Sequence, residues 1–194
     1  MAARTLLIAC GALARETLAA IEANGLRHVE VTCVSALLHN RPERIPEAVR
    51  AKIREHKADY ERIMVLYADC GTGGVLDQVL AEEGVERIGG PHCYAFYAGQ
   101  QVFEALADAE PGTFYLTDFL TRQFDTLVIE GLGLDRHPEL LELYFGNYRR
   151  LIYLAQTEDA QLQTQARAAA ERLGLEYEYR FTGLGELARF VGTA

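Results

Sequence analysis

RRLIYLAQTEDAQLQTQARAAAERLGLEYEYRF, residues 149–181, carries the reading that decides the fold. RRLIYLAQ (149–156) is a compact apolar run rich in strand formers, and LEYEYRF (175–181) alternates as a half-buried strand does. Between them TEDAQLQTQARAAAERLG (157–174) has acidic cap residues, strong helix formers and a terminal glycine. A strand, a helix and a second strand in close succession predict a parallel crossover unit.

Working outward, the same alternation recurs. TLLIAC (5–10) predicts a first strand ending at Cys10. Gly11 opens a helix with Leu13, Thr17, Leu18 and Ile21 on its inner side, and Asn24-Gly25 supplies a left-handed stop. HVEVTCV (28–34) predicts a second strand, with Cys33 near its carboxyl end. In RPERIPEAVRAKIREHKADY (41–60), Pro46 suits a first helical turn and Ile45, Val49 and Ile53 recur every four residues, as on a surface crossover helix. RIMVLYADC (62–70) is almost wholly apolar and is therefore predicted to be central in its sheet. CGTGG (70–74) feeds a helix over VLDQVLAEEG (75–84), VERIGG (85–90) predicts a short strand, and PHC leads into a long helix over YAFYAGQQVFEALADAE (94–110). TFYLTDFLTRQFDTLVIEGLG (113–133) reads as a helix with a short strand at DTLVI, HPELLELYFGNY (137–148) as a helix capped by Asp135, and GELARFV (185–191) as a terminal helix.

The predicted fold is α/β: a mostly parallel sheet with helices on both faces, a Rossmann-like three-layer sandwich. With 194 residues and 49% hydrophobic content, the chain is expected to form one domain over residues 1–194, the alternative being an internal pairing of two α/β halves. A formal net charge of −9 argues against a nucleic-acid partner, whose affinity would come from clustered Lys and Arg. MAARTLLIAC lacks the long apolar core of a secretory signal, and no apolar run approaches the roughly 20 residues of a membrane span. The expected setting is the cytoplasm, where four cysteines mean free thiols, catalysis or metal and not disulfides.

Strands of a parallel sheet all end on one edge, where open α/β proteins bind ligands. Cys10, Cys70 and Cys93 follow strands and Cys33 lies near a strand end, so all four are candidate metal ligands at one site, with His39 as a further ligand. Thiolates favour zinc, copper(I) or an iron–sulfur cluster over hard cations, which makes zinc or an iron–sulfur cluster the expected cofactor. No C-x-x-C pair is present, so the site is neither a zinc ribbon nor a ferredoxin loop. Three ligands would leave a position open for a small-molecule substrate. Asp69, His92 and His137 are the candidate catalytic, proton-handling residues.

The string DCGTGG (69–74) resembles the glycine motif of nucleoside methyltransferases, yet it follows the third strand and no acidic residue ends the next one. Gly71, Thr72, Gly73 and Gly74 are better read as a backbone-amide nest for an anionic group. Asp135-Arg136-His137 imitates the opening of a corrinoid-binding D-x-H-x-x-G motif, but Leu140 occupies the glycine position. Tyr94, Phe96 and Tyr97 read first as an aromatic core face.

The strings ACGALARE, LLHNRPERIPEAV, YADCGTGG, GPHCYAFYAG, PGTFYLTDFL, GLGLDRHPELLELYFGNYRRLIYLAQ and TGLGEL together resemble the family catalogued as domain of unknown function 1638. The resemblance covers nearly the whole chain. It implies a site around Cys10, Cys33, Cys70, Cys93, His39 and His137, and a connection to corrinoid-dependent methyl transfer in one-carbon or methylamine metabolism. The expectation is therefore a metal- or iron–sulfur-dependent protein of methyl-group metabolism, an enzyme of transferase or lyase type or an accessory protein, with a corrinoid protein as possible partner. The alternatives are a non-enzymatic module that binds a corrinoid protein or a small ligand, and a metal-free enzyme with Cys70 as nucleophile. Apolar residues on the YFGNY helix would suit a homo-oligomer contact.

Overall fold

A computed structural model describes residues 3–194. The chain is α/β with seven strands among the described residues, and every pairing is parallel. Four strands form one sheet in the order β2-β1-β3-β4 and three form another in the order β5-β6-β7. Two compact units correspond to these sheets: residues up to Phe96 with Leu184–Ala194, and Tyr97–Gly183.

In the first unit β1 (Thr5–Cys10) is buried at every position, and β3 (Arg62–Leu66) lies beside it with Met64, Val65 and Leu66 fully enclosed. The apolar character of these segments thus marks the two central strands, with β2 (Val29–Val34) and β4 (Glu86–Arg87) outside them. Helix α1 (Ala14–Ala23) follows a single 3-10 turn over Gly11–Leu13 and meets the terminal helix α9 (Gly185–Val191). Its buried side is Glu16, Thr17 and Ala20, continued by Leu13 of the preceding turn, while Leu18, expected there, is exposed. Helix α2 (Ile45–His56) buries Ile45, Pro46, Val49 and Ile53 as the four-residue spacing predicts, and it packs with α3 (Val75–Glu83). Right-handed crossovers place the β1–β2 helix on one face and the β2–β3 and β3–β4 helices on the other, in agreement with the pairs α1·α9 and α2·α3. The winding therefore reverses between β1 and β3.

The expected long helix over 94–110 is two helices, α4 (Tyr94–Ala98) and α5 (Gln100–Ala109). Gly99, at φ +84 and ψ 141, breaks the run in a conformation that only glycine adopts readily.

In the second unit β5 (Thr113–Leu116), β6 (Arg150–Ala155) and β7 (Glu176–Phe181) are laid down in one direction. The crossover helix α8 (Ala160–Leu173) between β6 and β7 is capped by Asp159, whose carboxylate accepts from the Gln161 and Leu162 amides at 2.8 and 3.1 Å. The stretch 113–133 departs from expectation: a strand comes first, then α6 (Asp118–Arg122), and DTLVI is part of a π-helical turn over Asp125–Glu130. Thr117 makes the difference, ending the strand and accepting the Leu120 amide as N-cap. Helix α7 (Leu140–Phe145) is shorter than expected, and exposed Asp135 lies in the preceding turn and does not cap it. Leu116, Leu151, Tyr153, Ala166 and Leu173 belong to one core cluster here.

Candidate functional site

The winding reverses between β1 and β3, and the carboxyl ends of strands at such a point are where doubly wound sheets receive ligands. Cys10 is the last residue of β1. On the other side β3 ends at Leu66, Tyr67 follows it, and Cys70 begins the glycine loop. Asp69 and Cys70 donate their amides to the Gly90 and Pro91 carbonyls at 3.1 and 3.0 Å, which straps the segment carrying Cys93 to this loop. A side chain added at Gly71 would meet the Pro42 ring, its Cβ falling 3.5 Å from that of Pro42.

Three thiols share this edge. The field of Cys10 acts on Cys70, and those of both Cys70 and Cys10 act on Cys93. Burial is the main influence on each: it raises Cys10, pushes Cys70 up to about 12, and lifts Cys93 well above the ordinary thiol range. Among the described residues, however, no three His, Cys, Asp or Glu side chains stand as a finished metal-ligand set. The donors suit a soft metal in kind, and the thiols would have to turn toward a common centre to hold one.

Cys33 is placed differently. The ladder pairs Ala9 with Cys33 and Cys10 with Val34. Register partners share a face and successive residues alternate, so Cys33 points to the opposite face from Cys10. It is also exposed, on a strand at the sheet edge. Its pKa is raised by partial burial and then by the neighbouring Cys10, although the register sends the two side chains to opposite faces.

The glycine loop is built around Asp69. Its Oδ1 accepts from the Thr72 hydroxyl at 2.6 Å and the Gly74 amide at 2.8 Å, and its Oδ2 from the Gly73 amide at 3.2 Å. The Thr72 hydroxyl foremost, then the Gly74 and Gly73 amides, hold this carboxyl below its usual range. Two of the amides expected to cradle an external anion thus already face an internal one. Gly71, Gly73 and Gly74 all have positive φ, and so does Cys70 at +47, the one such non-glycine residue among those described. An L-residue in that region costs about 1–2 kcal/mol.

His39 and His92 come near enough to each other to interact, and both keep exposed surface. Desolvation of its ring first, then the like charge of His92, lowers the His39 pKa and favours its neutral form. His137 belongs to the second unit, where it is exposed and its Nδ1 meets Glu139 Oε1 at 3.2 Å.

Two residues at these strand ends are absent from the sequence reading. Tyr67 is fully enclosed, one residue beyond the last β1–β3 ladder pair, Ala9 with Leu66, and hence beside Cys10. Arg87, at the end of β4, grips Asp77 at 2.6 and 2.9 Å and donates to the Ile88 carbonyl at 2.9 Å, with the Tyr67 and Gly90 carbonyls at 3.4 Å. It ties the ends of two strands together beneath the loop. The signals were faint: a tyrosine closing an otherwise apolar strand, and an arginine at the end of a short one.

Fold and site together define a parallel α/β protein with a buried thiol group at the switch point of its first sheet. Its family is equally plain. The model of the family described as "Protein of unknown function (DUF1638)" matches residues 33–191, and the chain belongs to that family. No curated protein and no solved structure matches the chain.

Proposed function

We propose that the chain is a soft-metal protein in which Cys10, Cys70 and Cys93 hold zinc or an iron–sulfur cluster as thiolates. The observation that supports this reading is that three cysteines, from three separate segments near the β1/β3 switch point, lie close enough for the fields of their thiols to act on one another. Cys33 is not in the set, because its side chain leaves from the other face of the sheet. His39 is the remaining candidate for a fourth ligand, and its bias toward the neutral imidazole suits that role. A three-thiolate site without it would offer an open position to a sulfur or oxygen atom of a substrate.

A metal-free thiol nucleophile would need a cation or helix N-terminus to lower its pKa, and the dominant influence on Cys70 runs the other way. Arg87, the nearby cation, is committed to Asp77. Thiolates in this setting need a bound cation as counter-charge. The link to corrinoid-dependent methyl transfer that the family resemblance implies makes a methyl-carrying small molecule the first substrate class to try, with His92 as the residue to move a proton.

The test is anaerobic purification followed by elemental analysis and visible spectroscopy. About one equivalent of zinc, or a coloured iron- and sulfide-containing protein, is expected, with loss of the metal in Cys10→Ala, Cys70→Ala and Cys93→Ala and its retention in Cys33→Ala. A colourless, metal-free protein that also takes up neither metal on reconstitution rejects the reading.

A further inference from the structure

Tyr67 is 0% exposed, and its hydroxyl makes no well-formed hydrogen bond, its one bonding contact being a marginal one to the Cys10 thiol. Buried hydroxyls are nearly always paired and an unpaired one is costly; those of Thr121 and Tyr177 in the second unit share this condition, and Tyr67 differs from them in lying beside the thiols. The polar groups that act on it are Cys10 foremost, with Cys70 and Cys93 behind. A neutral thiol is a poor acceptor, whereas a thiolate is a strong one. The hydroxyl is therefore badly served by three protonated thiols and well served by the same sulfurs as metal ligands.

We propose that Tyr67 is the hydrogen-bond donor to the thiolate ligand set, with Cys10 Sγ as its acceptor. Its place beside the end of β1 fixes the direction from which the ligand is approached. Such a donor to a first ligand holds that ligand's orientation and withdraws electron density from it, and removing one typically lowers metal affinity 10–100-fold. Tyr67 is thus a positioning residue, and the inference rests on the soft-metal reading above.

The test compares reduced wild-type protein with Tyr67→Phe in anaerobic Co(II) titrations, read by the sulfur-to-cobalt charge-transfer band. The variant is expected to bind Co(II) about 10–100-fold more weakly, with its band at lower energy because the thiolate has lost a donor. In the metal-free state the variant should be as stable as wild type or more so, since the ring is retained and only a poorly paired buried hydroxyl is removed. A hydroxyl with a purely structural partner gives the opposite stability result. If wild type binds Co(II) and the variant matches it in affinity and band position, this inference fails while the metal reading stands. If wild type shows no thiolate–cobalt band at all, the metal reading fails and takes the inference with it. A metal-free variant markedly less stable than wild type also overturns the role of Tyr67.

Discussion

Replacing Asp69 should loosen the loop that presents Cys70. In Asp69→Ala the Thr72 hydroxyl and the Gly73 and Gly74 amides lose their acceptor together. Hydrogen bonds to a charged group contribute about 1.5–3 kcal/mol each, but here one of the three is long at 3.2 Å and the freed amides lie close to solvent. The net loss should be about 2–3 kcal/mol. Asp69→Asn should cost less, about 1 kcal/mol, because a carbonyl placed at the Oδ1 position keeps the two shorter bonds and sacrifices only the one to Gly73. Hydrogen exchange at Gly73 and Gly74 reads the loop directly, and 2–3 kcal/mol corresponds to exchange roughly 30- to 150-fold faster. The effect carries a pH signature. The folded pKa of Asp69 is depressed, so its contribution is complete above the ordinary carboxyl value of about 3.9 and disappears as pH falls through the lower folded value. Wild type and Asp69→Ala should thus differ by a constant amount near neutrality and converge in acid. Unchanged exchange in Asp69→Ala, or equal effects of the alanine and asparagine variants, would refute the account of the loop.

Alkylation should sort the cysteines by exposure: Cys33 modified first at neutral pH, Cys10 and Cys70 slowly, and the fast phase abolished by Cys33→Ser. A fast phase that survives Cys33→Ser would favour a reactive thiol in the cluster. In the second unit, Asp118 is fully buried and accepts from Tyr153 Oη at 2.7 Å, the Gln156 amide at 2.9 Å and Thr157 Oγ1 at 2.5 Å, with Arg122 3.7 Å away. Asp118→Ala should cost about 3–5 kcal/mol in urea denaturation, since it strands buried donors and an arginine. A loss below 1 kcal/mol would show that water or a shifted side chain takes over the role.

The parallel α/β architecture is legible because its central strands are apolar throughout and α2 and α8 carry clear helical spacing and caps. The stretch 113–133 resists such reading, being apolar in so many positions that strand and helix periods both fit. The junction is set by one hydroxyl, that of Thr117. Gly99 is similar: a single glycine inside a helical pattern is often tolerated, and only its backbone angle reveals a break. At the candidate site, the positions of Cys10 at the end of β1 and of Cys70 in the loop after β3 are legible from the strand pattern. The face that Cys33 takes relative to Cys10 is not, because the face of an edge strand depends on which residue its partner brings alongside. Tyr67 is hidden for another reason. Just past an apolar strand it passes for core, and what sets it apart is a hydroxyl without a well-formed hydrogen bond beside Cys10.

Cys70, held at φ +47, is where durability and chemistry compete. Glycine or asparagine would sit more comfortably at that angle, so screening variants of this protein for heat resistance alone should enrich such replacements there. The hardier proteins would have lost one of the three thiols at the switch point. Any engineering of this scaffold therefore has to fix position 70 beforehand and look for its stability elsewhere.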